Sequence, residues 1–135
     1  MEPSPEIRDI ILGWFEAAQK GDAAWRDRHV SRRARIVGTD PNEWLEGDEA
    51  YEFLKNEAEG IGGKISITVP EAEGFREGSV GWGLARPIIT LPDGNQVSPR
   101  WSAVFHQEDG QWRLVQLHAS IAISNEEAFG EVFSG

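Results

Sequence analysis

Asp40 is followed by Pro41 in the run Gly38-Thr39-Asp40-Pro41-Asn42, which must turn, because proline steers the preceding residue away from helix and Gly38 loosens the backbone. A carboxylate at such a turn has two chemical fates. Beside large apolar rings such as Trp14 and Trp44 it would lose water, hold its proton to higher pH and be able to move a proton next to a carbonyl. In water it would instead accept hydrogen bonds from nearby backbone amides, the reason aspartate is common in turns.

The other reactive side chains are scattered. His29, His106 and His118 lack close metal-ligand spacing, so no metal is expected, and nothing points to a cofactor. The absence of cysteine removes thiolate catalysis, thiolate metal sites and disulfides together. No nucleophile-elbow pattern surrounds Ser102 to make a triad with His118. Glu71, Glu73 and Glu77 read as solvated rather than as paired acids. Arg26, Arg28, Arg32, Arg33 and Arg35 span a helix end and a following strand, which scatters them as a solvated or salt-bridged surface rather than an anion site.

Acidic residues number 23 against 13 basic ones, and the formal charge of −10 argues against nucleic acid as a partner. No segment approaches the roughly 18 apolar residues of a membrane span, and no basic flank with an apolar run opens the chain. A cytoplasmic setting without a membrane partner is therefore expected. A length of 135 residues suits one domain, 1–135, with none left for a second core. Six tryptophans, each large and costly to expose, must be housed in it.

The elements that would position these groups follow from periodicity. Ile7, Ile10, Ile11, Trp14, Phe15 and Ala18 make one apolar helical stripe over residues 4–20, with Ser4 as cap, Pro5 at the first position and Gly21 as terminator. Asp22 is expected to cap a short second helix carrying Ala24, Trp25, His29 and Val30. Arg35, Ile36 and Val37 read as a strand. A third helix from Asp48 places Ala50, Phe53, Leu54 and Ala58 on one side and ends at Gly60, Gly62 and Gly63. From Lys64 the period becomes two, and strands are expected near 65–69, 79–91, 96–107 and 111–123. The class is α+β, with N-terminal helices packed on a curved antiparallel sheet.

Pro92-Asp93-Gly94 and Glu108-Asp109-Gly110 both fit three-residue hairpin loops. With Glu108–Gly110 as loop, Gln107 faces Gln111, and one sheet face carries Trp101, Ala103, Phe105, Val115, Leu117 and Ala119. The other carries Arg100, Ser102, His106, Trp112, Gln116 and His118. His118 then neighbours Arg100 with Arg86 beyond, a group suited either to an anion or to a subunit interface with satisfied hydrogen bonds. The first separator places Gly81, Gly83 and Ala85 opposite Phe105, Ala103 and Trp101, leaving the middle of the apolar face without volume. A cavity for a small apolar ligand is the expected result, walled by Trp14, Trp25, Trp44, Tyr51, Phe53, Trp101, Phe105 and Leu117. The competing outcome is that those rings fill the space themselves.

Lys20-Gly21-Asp22, Asp40-Pro41, Trp44-Leu45-Glu46-Gly47 and the stretch from Phe105 through Asp109, Gly110, Trp112 and His118 to Ser120 resemble the SnoaL-like, nuclear transport factor 2-like proteins. The last stretch is similar to the association domain of calcium/calmodulin-dependent protein kinase. The resemblance implies a cystatin-like cone and a homodimer through the outer sheet face, which would use Trp82, Arg100, Trp112, Gln116 and His118. It also puts Asp40 where the similar ketosteroid isomerases carry a general base, with Trp14 near the place of their donor tyrosine. It implies a small-molecule-binding domain, a cofactor-free isomerase, cyclase or dehydratase acting on an apolar carbonyl compound with Asp40 as its catalytic group. The alternative it leaves open is a non-catalytic dimerisation or ligand-sensing module.

Overall fold

The computed structural model describes residues 1–133. In chain order it runs β1 (Glu2–Pro3), α1 (Pro5–Lys20), α2 (Ala24–His29), β2 (Val30–Val37), β3 (Trp44–Glu46), α3 (Asp48–Ile61), β4 (Ser66–Glu77), β5 (Val80–Thr90), β6 (Gln96–Val97), β7 (Arg100–Glu108), β8 (Gln111–Ser120) and α4 (Asn125–Phe129), then a 3-10 turn, Gly130–Phe133. One sheet holds the strands in the order β1-β4-β5-β7-β8-β2-β3, with β6 beside β5. Helices packed on this sheet give the expected α+β fold. It has one parallel seam, between β2 and β8, which no hairpin joins and whose direction is therefore not set locally.

Helix α1 forms as its spacing predicts. Ser4 Oγ accepts the Ile7 amide at 3.2 Å, Pro5 opens the first turn, and Gly21 at φ 76° ends the helix in a conformation open to glycine. Its buried stripe, Ile7, Ile11, Trp14, Phe15 and Ala18, faces the sheet. The Ser4 amide donates to Gly74 O at 2.8 Å and Arg8 Nε to Ala72 O at 3.1 Å, which fastens the helix to β4. Asp22 does not hold the cap position of α2, which Ala23 occupies, but its Oδ1 accepts the Ala24 amide at 2.8 Å. That helix stops at His29, so Val30 begins β2, a strand longer than the expected three residues. Helix α3 runs through Gly60 to Ile61. Strand β4 continues past Pro70, at a register shift between Thr68 and Glu71, so Glu71, Glu73 and Glu77 lie along a strand.

The last hairpin departs from expectation. Its loop has two residues, with Asp109 at φ 53° and Gly110 at φ 79°, the signs of a type I′ turn. Glu108 pairs with Gln111 and Phe105 with Leu114, then Val104 with Gln116, leaving Val115 as an extra residue. This bulge shifts the register by one. Beyond it Leu117 and Ala119 face inward as expected, whereas before it Trp112 and Leu114 do. Trp112 is therefore core, 4% exposed, and not part of the outer face. His118 stands opposite Ser102, and Arg100 opposite Ser120.

The β5–β7 register, Gly81 with Phe105, Gly83 with Ala103 and Ala85 with Trp101, matches expectation. The gap proposed there does not exist, because α1 fills it: a methyl on Gly81 would stand 2.6 Å from Ile7 Cδ1, and one on Gly83 would collide with Ile11 Cδ1. Ile7 and Ile11 are completely buried, each contributing about 1.5–3 kcal/mol. The glycines let the first half of α1 sink onto the sheet, and the space lies further along, beneath its second half.

Candidate functional site

Beneath Trp14, Phe15 and Ala18 of α1 lies a cavity of about 280 Å³. Helix α3 closes one side with Phe53, Leu54, Glu57 and Ile61, a single helical face at spacings of one, four and eight. The sheet contributes Ile36, Ile67, Pro87, Ile89, Trp101, Leu117 and Ala119. Phe15 meets Trp101 edge-on, with ring centroids 5.4 Å apart. Val37, Gly38, Thr39 and Glu43, Leu91, Val97 and Pro99, and Ile121 after β8 complete the lining.

Glu43 is positioned by the turn that contains Asp40. The Gly38 amide donates to Glu43 O at 2.8 Å, the Glu43 amide to Asp40 O at 2.9 Å, and the Asp40 amide to Glu43 Oε1 at 3.0 Å. Any side chain at Gly38 would collide with Glu43, whose Cβ would stand 2.7 Å from the added methyl. Glu57 of α3 lines the same cavity. The residue as a whole is exposed, but its carboxyl is pushed above the ordinary glutamate range, first by loss of water and then by the negative charge of Glu43. Among the described residues neither Glu43 nor Glu57 is ion-paired.

Of the residues expected around the cavity, Trp14, Phe53, Trp101 and Leu117 line it. Trp25 is buried behind Trp14, 5.3 Å between centroids, and its Nε1 donates to Ile10 O at 2.8 Å. Phe105 is sealed in the core. Tyr51 is buried elsewhere, with the Arg26 and Arg32 guanidinium carbons each 3.9 Å from its ring centroid. Trp44, expected as a wall, is 80% exposed, because β3 is an edge strand paired with β2 alone. Asp40 is exposed, does not line the cavity, and accepts the Asn42 amide on Oδ1 at 3.0 Å, the second of the two fates open to a turn aspartate.

The two acids that line the cavity were missed. Glu57 had a readable signal, since it lies three or four residues from Leu54, Phe53 and Ile61 on an apolar helix face. Glu43 had none, because only the folded turn brings it there.

On the outer face Trp82 stacks on Phe75 with centroids 6.1 Å apart, beside Val104 and a half-exposed Leu84. Gln116 and His118 share this face. Arg86 lies 3.6 Å from Glu71, so it is neutralised within its own strand pair. Among the described residues no three potential ligands converge as a metal site, and no helix is long and apolar enough to cross a membrane.

A helix-capped, strongly curved sheet enclosing an apolar cavity is the architecture of the cystatin-like and NTF2-like folds. An NTF2-like protein of unknown function from Pseudomonas putida KT2440 superposes with a TM-score of 0.77 over 90% of this chain and 88% of its own, at 16% identity. The association domain of C. elegans CaMKII gives 0.67 over 83% and 90%, also at 16% identity. A Shewanella frigidimarina NCIMB 400 protein, provisionally described as a ketosteroid isomerase, gives 0.67 over 83% and 92%, at 15% identity. At these identities the likeness is one of fold. The sequence model for the SnoaL-like domain matches residues 7–124, and the chain belongs to that family. A comparison with curated proteins found no match.

Proposed function

We propose that this chain is a small-molecule-binding SnoaL-like domain whose ligand occupies the cavity beneath α1. The observation that carries the reading is the cavity itself: about 280 Å³, walled by Trp14, Phe15, Phe53 and Trp101, with its ionisable groups confined to Glu43 and Glu57. Apolar walls with few polar groups are the usual form of a ligand site. The reading supports binding or sensing over proton transfer by Asp40, whose carboxylate is held by its own turn. Native mass spectrometry against a panel of small apolar amines, ketones and carboxylates tests it, with Ala119→Leu as a variant that fills the lining. Binding by the parent chain and its loss in Ala119→Leu supports the site; equal binding by both places the ligand elsewhere. Asp40→Asn should leave binding intact. A turnover that this variant abolished would restore Asp40 as the base of an isomerase, cyclase or dehydratase.

The outer face of Trp82, Leu84, Val104 and Gln116 is proposed as the homodimer surface, with Arg100 and His118 at its border. Leu84 is 50% exposed there, and Val80 39%, which is apolar area that a second copy would cover. Sedimentation should show a dimer at micromolar concentration that Leu84→Glu converts to monomer. A parent chain that sediments as a monomer overturns this.

A further inference from the structure

We infer that the cavity selects an apolar molecule bearing a positive charge, an organic ammonium ion, and discriminates against ligands bearing a carboxylate. The inference rests on the cavity reading above and names the class of ligand. The ionisable side chains in the lining, Glu43 and Glu57, are both acidic. Neither is ion-paired among the described residues, although acids such as Glu16, Glu46 and Glu71 have basic partners within 4 Å. The walls complete the case. Trp14 and Trp101, both nearly buried, line the same cavity, and indole is the aromatic ring most attractive to a cation.

The alternatives fare worse on the same geometry. A carboxylate ligand would bring further negative charge to a site where Glu43 already opposes ionisation of Glu57. A neutral ketone would leave the two acids repelling each other. An ammonium group relieves that repulsion, and its apolar remainder fills the space below α1. Thr39 adds a hydroxyl to the same lining.

The test uses the full chain and three probes of similar skeleton: phenylpropylammonium, benzylacetone and phenylpropanoate. Calorimetry gives the affinities, and the indole resonances of Trp14 and Trp101 report the site. The ammonium probe should bind at least about tenfold more tightly than the ketone, and phenylpropanoate most weakly. Glu57→Gln and Glu43→Gln should each narrow that lead several-fold, while Glu59→Gln, an exposed acid of α3 outside the cavity, leaves it unchanged. A ketone that binds as tightly as the amine overturns the inference and leaves the cavity reading standing. A lead that Glu59→Gln reduces as much as Glu57→Gln marks diffuse attraction to an acidic surface and also overturns it. If none of the probes binds or moves either indole resonance, the cavity reading itself falls.

Discussion

The indole Nε1 of Trp112 donates to Glu6 Oε1 at 2.8 Å, linking the last long strand of the sheet to the first turn of α1 across 106 residues of sequence. Arg76 lies over the same ring, its guanidinium carbon 5.9 Å from the centroid. Trp112→Phe keeps most of the ring volume but leaves the Glu6 carboxyl without this donor. It should lower stability by about 2–3 kcal/mol in urea unfolding. Glu6→Gln retains an acceptor oxygen and should lose less. Equal losses from the two substitutions would contradict this account of the contact.

Two glycine-to-alanine substitutions should have opposite signs. A methyl on Gly74 would stand 2.7 Å from Ser4 O and press on the Arg8 backbone, and backbone cannot rotate away. Gly74→Ala should destabilise by about 1–3 kcal/mol or more. Gly60 lies within α3 with nothing within 4 Å of an added methyl. Gly60→Ala should stabilise by about 0.5–1 kcal/mol. Thermal melts of the two variants and the parent decide both signs.

Glu57 binds its proton more tightly in the folded chain than in the unfolded one, since burial and Glu43 raise its pKa. Its contribution to stability is therefore complete below the ordinary glutamate pKa of about 4.3 and is lost as pH rises through the folded value. Glu57→Gln should melt higher than the parent at neutral pH, and the difference should vanish near pH 3.5. A gain that persists unchanged in acid would point to helix propensity rather than to charge.

His29 has the opposite sign. Burial lowers its pKa, with further lowering from the charges of Arg28 and Arg113, against a raising contact between Nδ1 and Trp112 O at 3.2 Å. The folded chain thus resists protonation, so stability is full above the ordinary histidine pKa of about 6.5 and declines as pH falls below it. His29→Gln, which keeps a polar side chain but cannot titrate, should flatten the loss of melting temperature between about pH 7 and pH 5.5. A parallel decline in both proteins would assign the pH response to other groups.

Helix α1 was legible in full because every signal agreed: an apolar stripe, a serine cap, a proline at the start and a glycine at the end. The final hairpin was not, because Asp109-Gly110 satisfies both a two-residue and a three-residue loop. The bulge at Val115 then restores the inward pattern for Leu117 and Ala119, so alternation in the second half of the strand concealed the wrong register in the first half. The misplacement of Trp112 follows from that alone. Trp44 was misread for a different reason: ring size favours burial, but an edge strand with one partner leaves its ring in solvent. Family resemblance carried Asp40 toward the cavity, whereas in the structure its carboxylate accepts an amide of its own turn, as the local chemistry of a turn aspartate allows.

Beneath α1 the packing is uneven along the helix. Where Gly81 and Gly83 admit Ile7 and Ile11 there is no slack, and beneath Ala18 there is about 280 Å³. Voids that disappear on unfolding make the folded state the larger one in volume, so such a chain yields to hydrostatic pressure. Compression should therefore loosen the Trp14–Trp101 end of the molecule before the glycine-packed end, and any occupant of the cavity would act as an incompressible plug that equalises the two.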